Sequence, residues 1–265
     1  MNRIEDYNEL ETSIVSWITN YVNKNNLRGL VVGVSGGIDS AVVSTLCAET
    51  GLPTYVLSMP LNSNPNSDDL SDSYTDYLED NYNNVTKIRV DLSPVYEKFM
   101  ASMNFWTGDG EFTSNNLANA NTKSRMRMVT LYQIAGTIGG IVVGTGNKVE
   151  DYGIGFYTKY GDGGVDIAPI ADLYKTEVWE LGKHLGVDQR IIDAPPTDGL
   201  WDDSRTDQDQ IGATYEDLEY AMEHGTGPAV RILHNLNAAN KHKMNPIPTF
   251  TLNLSKEPHK TLWAK

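Results

Sequence analysis

Ile4, Tyr7, Leu10, Ile14, Trp17, Ile18, Tyr21 and Val22 recur at three- and four-residue spacing, which predicts an amphipathic helix at the start of the chain. Leu30, Val31, Val32 and Val34 then form a short, almost unbroken apolar run, the pattern of a strand buried on both faces. Ser35-Gly36-Gly37 interrupts it. A second helix is expected at once, with Asp39 and Ser40 in its first turn, Ala41, Val42, Val43, Leu46 and Cys47 on its apolar face, and Glu49-Thr50-Gly51 at its end. Further along, residues 54–58 and 86–90 read as strands, separated by an Asn/Ser/Pro-rich loop and a helix from Ser67-Asp68-Asp69 to about Tyr82. Residues 93–103 read as a helix, 107–113 as a turn, and 115–136 as a long helix whose Met128, Leu131, Tyr132, Ile134 and Ala135 should be buried. Residues 141–144 make a fourth strand.

Strands that alternate with helices predict an α/β fold, a doubly wound parallel sheet with helices on both faces and right-handed crossovers. One domain spanning residues 1–265 is expected, with its ligand site at the carboxyl ends of the strands. After the fourth strand, Thr145 to about Lys175 is rich in Gly, Asp, Thr and Lys with poor apolar periodicity, so it reads as a long loop at a strand's carboxyl end. Thr145, Glu150, Thr158, Lys159, Asp162, Asp166 and Lys175 offer enough hydroxyls, carboxylates and ammoniums for a metal and several phosphates; a plain surface loop would use the same residue types. Beyond it, residues 197–210 are acidic and loop-like, 215–224 form a short helix, and Pro228 opens another that runs to about Asn240. The final LSKEPHKTLWAK is expected to order on ligand binding.

Composition narrows the partners. The chain has 265 residues, 21 basic and 35 acidic, a formal charge of −14, which argues against a nucleic-acid partner. No apolar run approaches the ~18 residues of a membrane span, and the acidic start lacks the segments of a signal peptide, so a soluble, cytoplasmic protein is expected. Cys47 is the only cysteine, which excludes intrachain disulfides and cysteine metal sites. It falls on an apolar helix face and reads as a core thiol.

The turn at residues 35–40 carries the chemistry. Two glycines let backbone approach a ligand, while helix-start N–H groups and the hydroxyls of Ser35 and Ser40 face one small concavity, an anion site. It lacks the Gly-Lys-Ser/Thr of a Walker loop, and its glycines do not spell GxGxxG. An ordinary strand-to-helix turn would look similar. The hexapeptide SGGIDS resembles the pyrophosphate loop of the ATP-pyrophosphatase superfamily, in which the aspartate, here Asp39, helps bind magnesium. Lys123, Arg125 and Arg127 lie within five residues of the long helix and suit either phosphate binding or a solvated face.

NTKSRMRM, GTGNKVED, GFYTKYGDGGVD and PIADLYKTEVWELGKHLG resemble consecutive blocks of the NAD synthetase family, and APPTDGL, IGATYEDLEYAME and NKHKMNPIP extend the likeness to about Pro248. The resemblance implies a homodimeric, Mg2+-dependent ligase that uses ATP to adenylate nicotinic acid adenine dinucleotide and free ammonia to form NAD, releasing AMP and pyrophosphate. It assigns Asp39 and Glu150 to magnesium. Gly33, Ser35, Gly36, Gly37, Asp39 and Ser40 fall on the pyrophosphate cradle, Arg125, Thr145, Lys175 and Thr197 on ATP-binding positions. Lys159, Asp166, His242 and Lys243 fall on positions that bind the deamido dinucleotide, and Asp162 and Lys175 on catalytic ones. With no chain left over for a glutaminase domain, ammonia would be free or delivered by a separate subunit. Three departures stand out: Gly146 where an aspartate is common, Asp207-Gln208 for the usual Asp-Glu, and about one extra residue around Asp151-Tyr152-Gly153. A sister synthetase such as GMP synthetase, or a nucleotide-binding remnant without turnover, is the alternative.

Overall fold

The computed structural model describes residues 3–62, 65–107, 116–197 and 206–251. Four parallel strands, β1 (Leu30–Gly33), β2 (Thr54–Ser58), β3 (Val85–Arg89) and β4 (Ile141–Val142), form one sheet in the order β3-β2-β1-β4. Leu30 sits beside both Thr54 and Ile141, so β1 is central. Side chains alternate across the pleat, and both faces are buried, as the unbroken apolar run requires. Leu30, Val32 and Val34 enter one core and Val31 the other.

Helices cover both faces. On one side, α1 (Tyr7–Lys24), α2 (Ile38–Glu49), α3 (Pro65–Asn81), α6 (Lys175–His184) and α7 (Gln189–Ile192) share a core with the sheet that includes Ile18, Leu46, Leu78 and Leu181. The other side is covered by α4 (Ser93–Thr107) and α5 (Asn116–Ile138) through Tyr96, Met128 and Leu131. A third core joins α9 (Tyr215–His224) and α10 (Val230–Met244) to Val149 and Ile154, with Ile211 of α8 (Asp207–Ile211).

Every strand and long helix read from the pattern is present, with ends displaced by a few residues. The 107–113 turn lies, after Thr107, outside the described residues, as does the whole of LSKEPHKTLWAK. Four expectations change. Residues 197–210 read as loop-like, but Asp207–Ile211 is helical, capped by Thr206, whose hydroxyl accepts from Asp209 N–H. Tyr132 is 39% exposed rather than buried, because its hydroxyl reaches Asp166 Oδ1 at 3.0 Å at the edge of the sheet. Strand β4 is only two residues long, continued by a single bridge from Val143 to Ile167. And the long loop is not irregular throughout: Val149–Ile154 forms a π-helical turn, closed by Gly155 at φ +63°.

That π turn coincides with one departure in the sequence. A π turn accommodates an extra residue in a helical segment without moving its ends. The turn spans Asp151-Tyr152-Gly153, where the resemblance implies about one extra residue. Asn237 and Asn240 of α10 donate to the carbonyls of Gly153 and Ile154, each at 2.8 Å, so the turn's C-terminal carbonyls are satisfied from outside.

Candidate active site

The strand order reverses between β1 and β4, and the crevice beyond their carboxyl ends is where a doubly wound sheet binds its ligand. The turn after β1 is tight. Gly36 takes φ +83°, a conformation that L side chains rarely adopt, and Gly37 precedes the first residue of α2. Ser35 N–H donates to Ser40 Oγ at 3.1 Å, and Ser40 Oγ donates to the Gly37 carbonyl at 2.9 Å. The hydroxyls of Ser35 and Ser40 are also 3.1 Å apart, so both are gathered at the start of α2. Gly33 sits in a tight space: a Cβ there would stand 3.2 Å from Met59 Cε and 3.5 Å from Leu131.

Asp39, the second residue of α2, points toward the segment after β4. Its Oδ2 accepts from Lys175 Nζ at 2.5 Å, and its Oδ1 from Asn147 Nδ2 at 3.2 Å. The same Lys175 ammonium donates to Glu150 Oε1 at 3.1 Å. Asn147 is fully buried and its Oδ1 accepts from the N–H groups of Val149 and Glu150, both at 3.1 Å, which caps the π turn and aims Glu150 inward.

Lys175 is the first residue of α6, where the helix dipole repels a cation. Anions around that helix start offset it: Glu177 Oε2 accepts from Tyr174 N–H, and Glu219 of α9 accepts from Thr176 N–H and Oγ at 3.0 and 2.6 Å. Burial by itself would lower the Lys175 pKa; the charges of Asp39 and Glu150 more than reverse this and hold it as an ammonium. Burial lifts the Asp39 carboxyl, opposed by Lys175 and reinforced by Glu150.

The Gly146 and Asp151 departures meet in space. A Cβ at residue 146 would land on the Asp151 carboxylate, so the missing side chain is the space that carboxylate fills. Burial, then the charges of Glu150, Asp162 and Asp39, push the Asp151 carboxyl up to about 7.

Asp162 is held by Ser124 Oγ at 2.6 Å and Thr158 N–H at 3.0 Å. Close by, three cations are tied to main-chain carbonyls: Arg125 Nε to Lys159 at 3.2 Å, Lys159 Nζ to His242 at 3.2 Å, and Lys243 Nζ to Tyr157 at 2.8 Å. The C-terminal end of α10 is thereby latched onto the loop carrying Asp162. Asp166 stands apart from this group. Its Oδ2 accepts from Val142 N–H at 2.8 Å and its Oδ1 from Tyr132, so in this conformation it braces the end of β4. Thr145 lies between β4 and Asn147, and Thr197 ends the described segment after α7. The basic trio is no solvated face: Lys123 is buried beneath α4 with its ammonium 5.8 Å from the Tyr96 ring, Arg127 is half-buried and donates to the Met59 carbonyl, and only Arg125 is exposed.

Sequence reasoning missed Asn147 and Tyr215. Asn147 stands within GTGNKVED and Tyr215 opens α9, but no periodicity or charge pattern marks either as a partner of Asp39 or Glu150. As for magnesium, Asp39 and Glu150 converge on one cation, the Lys175 ammonium, and as a pair of carboxylates they are oxygen donors of the kind that would suit Mg2+. No group of three or more acidic, His or Cys side chains suited to a metal occurs among the described residues.

The sequence model of the NAD synthase family matches residues 10–252. An NH3-dependent NAD+ synthetase of Carboxydothermus hydrogenoformans is 37% identical over 90% of this chain and 95% of its own length. Among solved structures, an NMN synthetase from Francisella tularensis superposes with a TM-score of 0.83 at 33% identity, covering 94% of this chain and all of the other. An NH3-dependent NAD synthetase from Campylobacter jejuni gives 0.71 at 26% identity, covering 93% of this chain and all of the other.

Proposed function

The chain belongs to the NAD synthase family, and from that premise we propose that it amidates nicotinic acid adenine dinucleotide to NAD, using ATP and free ammonia. The observation that carries the reading is the convergence of Asp39 and Glu150 on Lys175 beside the SGGIDS turn. In the proposed reaction the pyridine carboxylate attacks the α-phosphate of ATP, pyrophosphate leaves, and ammonia displaces AMP from the acyl adenylate.

Each group has a task set by charge. Ser35, Gly36, Gly37, Ser40 and the start of α2 bind the leaving pyrophosphate through N–H and hydroxyl donors. Lys175, already an ammonium, turns toward phosphate as negative charge builds there. Mg2+ held by Asp39 and Glu150 would supply further charge neutralisation at the phosphates. Arg125, Thr145 and Thr197 bind ATP, and Lys159, Asp166, His242 and Lys243 bind the dinucleotide. For Asp166 this requires exchanging the Tyr132 bond. Asp162 faces the entering nitrogen. A homodimer and a cytoplasmic location complete the proposal. No helix among the described residues is long and apolar enough to cross a membrane.

A second reading has its own observation: the superposition is tighter on the NMN synthetase than on the NAD synthetase of Campylobacter jejuni. On that reading the pyridine acid accepted is the mononucleotide. The test is amide formation by the purified chain with Mg2+ and ATP, offering nicotinate mono- and dinucleotide in parallel and ammonium against glutamine. NAD from the dinucleotide with ammonium supports the first reading. Preference for the mononucleotide supports the second, and no product from either sinks both. Asp39→Ala and Glu150→Ala should each abolish AMP release while the fold survives; full turnover in either removes the magnesium assignment.

A further inference from the structure

One buried titratable group touches the centre without a task in the reaction above. Tyr215, the first residue of α9, is fully buried, and its hydroxyl donates to Glu150 Oε1 at 2.7 Å. That is the same oxygen that accepts from Lys175. The Lys175 ammonium also lies 5.0 Å from the centre of the Tyr215 ring, a cation–π contact in a desolvated setting. Trp179 packs edge-on against the ring at 6.0 Å and 88°. Thr214 caps α9 by accepting from Asp217 N–H at 3.1 Å, which fixes the backbone that carries the ring.

Resting on the proposed reading of Glu150, we propose that Tyr215 is a positioning residue. Its hydroxyl keeps the Glu150 carboxylate in place when Lys175 exchanges Glu150 for phosphate. The physical need is specific. As drawn, Glu150 Oε1 takes two donors, and catalysis on the proposed path withdraws one of them. A carboxylate left with neither would be free to change rotamer at the moment it has to face a cation. Partners that orient a metal-binding carboxylate from behind typically matter by 10–100-fold in affinity or activity. The same helix also supplies Glu219 to the start of α6, so α9 holds the carboxylate and the base of the lysine together.

Tyr215→Phe removes the hydroxyl and keeps the ring, its packing and its contact with Lys175. Mn2+ binding to the full chain with ATP present, followed by electron paramagnetic resonance, should weaken about tenfold. Turnover should fall by about the same factor, while the KM for ATP and the melting temperature stay close to the parent. The hydroxyl also lies 3.3 Å from Asp207 Oδ2, so the cycle is read in Mn2+ affinity: there the double variant Glu150→Gln/Tyr215→Phe should be no worse than Glu150→Gln alone, since the hydroxyl acts on the cation through Glu150, its nearer partner at 2.7 Å. Unchanged Mn2+ affinity in Tyr215→Phe, or affinity losses that multiply in the double variant, would overturn the positioning role. Parent-like Mn2+ binding and turnover in Glu150→Gln would instead overturn the reading of Glu150, and this proposal with it.

Discussion

The centre around Lys175 and the latch around Lys243 are both built on cations, and they are held in opposite ways. At the centre, bonds join side chain to side chain: Lys175 to Asp39 and Glu150, Asn147 to Asp39, Tyr215 to Glu150. Four segments distant in sequence meet there, and the lysine is buried. At the latch, Arg125, Lys159 and Lys243 donate to main-chain carbonyls. A neutral carbonyl is a weaker partner than a carboxylate, so a phosphate can displace it at small cost. The centre is therefore organised before substrate arrives, while the latch stores cations in exchangeable positions. The first should govern turnover and stability together, the second affinity alone.

Three changes would break or sharpen that contrast. Lys175→Met should have the largest effect. It strands two carboxylates in a buried site, costing about 3–5 kcal/mol of stability by denaturant unfolding and at least ~10^3 in turnover. A well-folded, active variant would show that the centre is not pre-organised by charge. Gly146→Ala comes next: its Cβ displaces the Asp151 carboxylate, and a loss of about 1–3 kcal/mol is expected, mostly recovered in Gly146→Ala/Asp151→Gly. Absence of that recovery in calorimetry would mean the two residues do not share the space. At the latch, Lys243→Met should raise the KM for the pyridine nucleotide about tenfold with turnover nearly kept, as expected for a contact made equally in ground and transition states. A pure turnover effect would move Lys243 to the centre's category.

The smallest effect lies away from both regions, between α1 and α2. Glu49 is pushed up to about 7 from 4.5, by burial first and then by the hydrogen bond and charge of Glu11. In the unfolded chain this carboxyl ionises near 4.5, whereas the folded protein keeps its proton to about 7. The folded state thus binds more protons across that window, and stability falls as pH rises through it. Melting temperature should decline between about pH 5 and pH 7 and level off above, and Glu49→Gln should make that decline shallower without changing turnover, the remainder coming from Asp151, which is raised to about 7 as well. A profile that rises with pH in the parent would contradict the burial argument.

The amino-acid sequence by itself determined the strand–turn–helix cradle, because apolar runs, glycines and hydroxyls act within a few residues of one another. It also determined the alternation of strands and helices, the order of the family's blocks and, through them, Asp39, Glu150 and Lys175. Local patterns could not say that Asn147 bonds Asp39 across 108 positions or Tyr215 bonds Glu150 across 65. Nor could they say that Tyr132 stays exposed to bond Asp166, or that the Asp151 carboxylate fills the space beside Gly146. Periodicity reports which face of an element is apolar, and these pairings depend on where separate elements end in space. Only the tertiary structure decides that, because a buried charge finds its partner through the packing of whole helices against the sheet.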